Sequence, residues 1–272
     1  AAAARQAEAH EAGAEARAAV RARALRERAE RGRERAVALA LARAGASVAV
    51  AARTVPEIEA VAAEVQALGR RAHFFPLDVA DRRALAAAPA EVARALGPVD
   101  ILVNNAAIHL SSPVLRTADE QWDGVLAVNL TAPFLLTRAC LPGMLDRRWG
   151  RIVNVASVAG RVGVKYGAAY VASKHGLLGL TRTVALEGVR KGVTANAICP
   201  SWTDTRMMAE AVQAIVDATG RTPEEARAAV LGENPRGQPA SPEEVAEVAV
   251  WLASNPAVNG QAFNVDGGEV MS

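Results

Sequence analysis

A chain of 272 residues is long enough for one large domain with a sizeable core. Its 31 basic and 29 acidic residues leave a formal charge of +2, mostly arginine opposed by glutamate, which reads as a solvated surface and excludes a nucleic-acid stripe. The two cysteines, Cys140 and Cys199, lie far apart in apolar surroundings, so buried thiols are expected rather than a disulfide framework; Arg43 interrupts the best candidate for a membrane span and the N-terminus has no signal-peptide pattern, so a cytoplasmic protein without a membrane partner is expected.

In chain order, residues 1–44 are rich in Ala, Arg and Glu, a composition that favours helix. SVAVAA (47–52) reads as a buried strand, and 56–69 as an amphipathic helix closed by Gly69. A strand at 72–79, a helix at 81–95 and a strand at 100–107 follow. A long helical stretch covers 117–147, a strand 151–157, a helix rich in small residues 167–190 and a strand 193–200. Helical patterns at 204–218, 222–232 and 241–254 precede a last strand and turn at 261–268. Apolar strands alternating with helices imply a single-domain, doubly wound α/β fold whose parallel strands are buried on both faces. Its ligand site is expected at the carboxyl ends of the strands. The organisation expected is an Ala/Arg/Glu-rich helical segment over 1–44, followed by the α/β domain over 45–272.

Several residues stand at informative positions in this frame. YVASK (170–174) is a Tyr-x-x-x-Lys, Ser157 ends the preceding strand, and Asn129 lies in the long helix before it, within AVNLTAPF. NNAA (104–107), LDV (77–79) and FNVDGG (263–268) end three strands. In this order and spacing the chain resembles the short-chain dehydrogenase/reductase family over about residues 32–272. The resemblance implies a Rossmann-like fold, a nicotinamide cofactor, a small carbonyl substrate and a homodimer or homotetramer; no metal is expected.

The chemistry explains these residue types. Hydride transfer to a carbonyl leaves a developing alkoxide that must be protonated. Tyr170 can donate that proton, and Lys174, one helical turn on, is expected to lower the phenol pKa toward working pH. Ser157 can hydrogen-bond the substrate oxygen. By resemblance, Asn129 sits at a helix irregularity and holds a water linking Lys174 to solvent. His109, just past NNAAI, reads equally as a substrate contact or a surface histidine, and His175 as a packing residue. Trp202, Met207 and Met208 fall where the family has a substrate lid.

The end of the second strand, Ala51-Ala52-Arg53, indicates the cofactor. By resemblance Ala52 stands where NAD-preferring members carry Asp, while Arg53 can pair with a 2′-phosphate, so NADPH is expected over NADH. Arg31 and Gly32 are expected at the phosphates, Asp78 and Val79 at the adenine, Asn105, Ala106, Tyr170 and Lys174 along the cofactor, and Pro200 and Thr205 near its carboxamide.

One segment departs from the family. Where members carry a glycine-rich loop after an apolar first strand, this chain has ALRERAERGRERA (24–36), in which only Gly32 survives of the loop glycines and Arg28 and Glu34 hold the other two positions. Buried Arg or Glu is costly in a central strand, and a carboxylate beside phosphate is repulsive. Three readings stay open: a long helix replaces the first strand and loop, the strand forms because the sheet imposes it, or the stretch departs from the natural sequence. Ala107 and Ser201 are smaller departures, each replacing a glycine. The activity expected is NADPH-dependent reduction of a ketone, a 3-oxoacyl thioester or similar, to a secondary alcohol. The alternatives are an NAD-dependent 3-hydroxyacyl or 3-hydroxybutyrate dehydrogenase, and an inactive scaffold of this fold with impaired cofactor binding.

Overall fold

The computed structural model describes residues 23–27, 32–232 and 234–271. Seven strands form one parallel sheet: β1 (Arg23–Glu27), β2 (Ser47–Ala52), β3 (Ala72–Pro76), β4 (Ile101–Asn104), β5 (Gly150–Val155), β6 (Val193–Pro200) and β7 (Ala262–Val265), in spatial order β3-β2-β1-β4-β5-β6-β7. The order reverses between β1 and β4, and a doubly wound sheet opens a crevice at such a point. Nine helices lie among the described residues: α1 (Arg33–Arg43), α2 (Val55–Ala67), α3 (Arg82–Ala95), α4 (Asp119–Leu126), α5 (Ala132–Asp146), α6 (Ala168–Gly188), α7 (Arg206–Thr219), α8 (Pro223–Leu231) and α9 (Pro242–Ser254).

The strands alternate as a pleat demands. Val48, Val50, Ile101, Val103, Val153 and Val155 face α1, α2 and α9, where Val37, Leu41, Ile58, Val61, Val245 and Leu252 complete one core. Ala49, Ala51, Leu102 and Ile152 face the opposite way, onto Leu85 and Val92 of α3, Leu136 and Met144 of α5 and Val184 of α6. Cys140 and Cys199 are buried thiols outside any disulfide.

The expected helix in place of the first strand is corrected at 23–27. That segment is β1, central in the sheet, its backbone registered as Leu25 opposite Ala49 on one side and opposite Leu102 on the other. Two apolar neighbours with open backbone ladders impose strand on a helix-favouring composition, because tertiary pairing overrides local propensity. Residues 1–22 and 28–31, which carry the rest of that expectation, lie outside the described residues.

The long helical stretch is also divided. Pro133 has no N–H to give the carbonyl four residues back, that of Asn129. The chain widens there into a π turn, Ala127–Thr131, in which Ala132 N–H donates to the Ala127 carbonyl five residues back. Contrary to the sequence expectation, the composite helix Asp119–Asp146 is long enough to cross a membrane and holds an 18-residue window apolar enough to do so, with a mean hydropathy of 1.5. Its Leu136, Cys140 and Met144 pack into the core, so its apolarity is that of a helix laid on a sheet.

Candidate active site

The carboxyl ends of the parallel strands lie along one edge, and the residues singled out in the sequence follow them. Arg53 leaves β2, Asp78 and Val79 follow β3, Asn105 and Ala106 follow β4, Ser157 follows β5, and Pro200 to Thr205 leave β6. A cleft of about 790 Å3 opens here, lined among others by Ser157, Tyr170, Pro200, Trp202, Thr205 and Met207.

Tyr170 sits in the first turn of α6, and its side chain and that of Ser157 line the same cleft. Ser157 accepts from Ala159 N–H at 3.1 Å, which fixes its rotamer. Lys174 is 1% exposed and donates from Nζ to the Val155 carbonyl at 2.9 Å, with its ammonium 5.6 Å from the centre of the Tyr170 ring. Burial, reinforced by the nearby Arg33 cation, lowers the Lys174 pKa to about 7. Burial pushes the Tyr170 phenol above its ordinary value, while the Ser157 hydrogen bond and the Arg33 cation pull it back. The expected lowering is therefore outweighed: desolvation of the phenolate is the larger effect, and the Lys174 ammonium is committed to a backbone carbonyl.

Asn129, fully buried in the π turn, meets the expectation of a helix irregularity. Its side chain accepts from Ile108 N–H and donates to the Ile108 carbonyl, both at 2.9 Å, and donates to Ser173 Oγ at 3.1 Å. Ser173 donates in turn to the Tyr170 carbonyl at 2.7 Å. Ser173 escaped the sequence reading because it fills one of the unspecified positions of the Tyr-x-x-x-Lys motif; only its spacing from Tyr170 marks it. His175 is corrected from a packing residue: it is exposed, and its ring bonds the Val171 carbonyl of its own helix.

The residues expected to line a nicotinamide dinucleotide lie along the same edge. Arg53 is exposed, with no hydrogen bond or ion pair among the described residues; Val79 and Ala106 are buried. Asp78 is exposed and its carboxylate accepts from Ala80 N–H at 2.9 Å, which shapes the turn after β3. Gly32 starts α1 with no side-chain cap, and the first turn carries Glu34. A Cβ at Gly32 would meet Thr205 Cγ2 at 3.0 Å, so these two candidate residues are in close approach. Arg31 lies outside the described residues. The residue at odds with a dinucleotide phosphate is Glu34, 7% exposed, whose carboxylate accepts from Asn105 Nδ2, while Arg33 Nε donates to Asn105 Oδ1 at 2.7 Å. Ser201, in a glycine's place, gives its hydroxyl to the Glu269 carboxylate, and both line the cleft.

Residues 29–215 match the family described as short chain dehydrogenase. The chain belongs to the short-chain dehydrogenase family. Among its relatives, D-beta-hydroxybutyrate dehydrogenase of Cupriavidus necator is 46% identical over 177 residues, 64% of this chain and 69% of that protein. A 3-oxoacyl-(acyl-carrier-protein) reductase of Thermotoga maritima is 35% identical over 216 residues, 79% of this chain and 83% of the relative. The crystal structure of a variant of actinorhodin polyketide ketoreductase with NADPH superposes with a TM-score of 0.86 at 38% identity, covering 91% of this chain and 97% of that one. This short-chain dehydrogenase is thus an oxidoreductase of a family that uses NAD(P).

Proposed function

We propose that the chain is an NADPH-dependent reductase of a ketone, a 3-oxoacyl thioester or similar, giving the secondary alcohol. The observation that carries this reading is Tyr170 and Ser157 side by side in the lining of the cleft, with Lys174 buried and donating to the Val155 carbonyl. The dinucleotide, when bound, supplies the hydride that the carbonyl carbon receives. Tyr170 gives its proton to the carbonyl oxygen; burial keeps the phenol protonated and ready as a donor. Ser157 hydrogen-bonds the same oxygen as its charge grows. Asn129 and Ser173 hold the start of α6 in place beneath Tyr170. Arg53 pairs with the 2′-phosphate, and Val79, Asn105, Ala106 and Gly32 at the start of α1 line the remainder of the dinucleotide.

The relatives that reduce 3-oxoacyl groups and the ketoreductase bound to NADPH support this direction. One observation favours a second reading, an inactive scaffold: the Glu34 carboxylate, which stands where a phosphate cradle needs a glycine and bonds Asn105 instead. Titration with NADPH and NADH, followed by tryptophan fluorescence, separates the two. Micromolar NADPH binding, much weaker NADH binding and reduction of an acetoacetyl thioester support the reductase; a cooperatively melting protein that binds neither dinucleotide supports the scaffold.

A further inference from the structure

His109 stands in the wall of the cleft, beside the tyrosine that gives the proton. Its ring meets Tyr170 edge-on at 4.8 Å between centroids and 82°, and Trp202 at 6.4 Å and 75°. These contacts pack the ring against two aromatic neighbours, and neither ring nitrogen has a hydrogen-bond partner among the described residues. The backbone on either side is anchored. Asn129 grips Ile108 through both its N–H and its carbonyl. On the other side Ser112 N–H donates to the Tyr166 carbonyl at 2.8 Å, and Ser112 pairs with Gly167 just before α6. A polar ring held this firmly in a substrate cleft, with unused nitrogens, is preorganised for a ligand atom.

We infer that His109 is a specificity-determining residue, whose imidazole donates a hydrogen bond to a second oxygen on the substrate, the carbonyl or carboxyl oxygen two carbons from the reacting ketone. The inference rests on the reductase reading above. Burial lowers the His109 pKa, so the ring is neutral near pH 7 and offers one N–H donor and one acceptor. A 3-oxo acid, ester or thioester carries an acceptor at that spacing; a simple ketone does not. A site that loses a hydrogen bond to substrate discriminates against the partner that used it and leaves the other untouched.

The test compares ethyl 3-oxobutanoate with 2-hexanone as substrates of the full chain with NADPH. His109→Phe keeps an aromatic ring against Tyr170 and Trp202 and removes the nitrogens. It is expected to lower kcat/KM for the 3-oxo ester by roughly 10- to 100-fold, mainly through KM, and to leave 2-hexanone within about twofold. His109→Gln, which restores a donor, is expected to recover most of the loss. Equal loss on both substrates, or no loss on either, overturns the inference alone. A wild-type protein inactive on both substrates overturns the reductase reading and the inference with it.

Discussion

Burial acts on Tyr170 and Lys174 in opposite senses: it keeps a proton on the phenol and takes one from the ammonium. Each has a measurable consequence. Tyr170→Phe removes the donor while leaving the ring in place, so turnover is expected to fall by about 100- to 10,000-fold in initial-rate assays, with NADPH affinity nearly unchanged in a fluorescence titration. Lys174 titrates at about 7, against 10.5 in the open chain. Between those values the unfolded chain holds a proton that the folded chain has released, so the contribution of Lys174 to stability rises with pH across the window. Below about 7 the fold carries the full penalty of a buried charge. Urea melts of Lys174→Met are therefore expected to gain most over the wild type near pH 6, with the gain shrinking as pH approaches 10.5. Glu34 offers a third measurement. Glu34→Gly removes a carboxylate from the proposed phosphate cradle, and NADPH is expected to bind roughly tenfold more tightly, read by the same titration. An unchanged affinity would place the phosphates elsewhere.

Elements meet at the site through small residues. Gly160, in the short turn Val158–Gly160 after Ser157, lies against the backbone of α6: a Cβ there would meet the Lys174 carbonyl oxygen at 2.9 Å. Neither backbone can yield easily, so Gly160→Ala is expected to cost about 1–3 kcal/mol in urea unfolding and to depress kcat as α6 shifts under Tyr170. Much at this scale was legible. β2 was read to the residue, because an unbroken apolar run there ends at Arg53. The helices at 222–232 and 241–254 were placed closely, and each begins with a reciprocal cap, Thr222 with Glu225 and Ser241 with Glu244. Strand ends were read too long at 72–79, 100–107 and 151–157. Leu77, Val79, Ala106, Ala107 and Ala156 stay buried after leaving the sheet, so their apolar pattern continues where the ladder has stopped. The Tyr-Lys pair and Ser157 were visible as a spacing. The Ser173 link and the ring contacts of His109 were not, since both depend on loops and helices brought together over long sequence separations. β1 was hidden for the same reason: its pairing comes from β2 and β4, not from its own side-chain pattern.

At the scale of the molecule, the fold leaves apolar side chains outside both cores. Phe134 on α5 is 42% exposed, and Leu186 near the end of α6 is 79% exposed. The family is commonly oligomeric, and we propose that a homodimer or homotetramer packed through these helices covers these side chains. Sedimentation is expected to show a species larger than the monomer, and the double substitution Phe134→Glu/Leu186→Glu is expected to shift it toward the monomer. A wild type that sediments as a monomer would refute the assembly.

The bridge from Ser112 to Gly167 and the grip of Asn129 on Ile108 tie the histidine loop to the tyrosine helix. Among the described residues, no hydrogen bond or strand bridge joins either of them to α7 and α8, which line the cleft through Met207, Met208, Ile215 and Val230. The proton donor and the residue proposed to recognise the second oxygen therefore form one fastened unit, and α7 with α8 is a separate part. On the proposed reductase reading, chain-length preference is expected to follow α7 and α8. Transplanting residues 206–231 from a relative that accepts longer acyl groups should carry that preference across while leaving the chemistry of the first three carbons as it was.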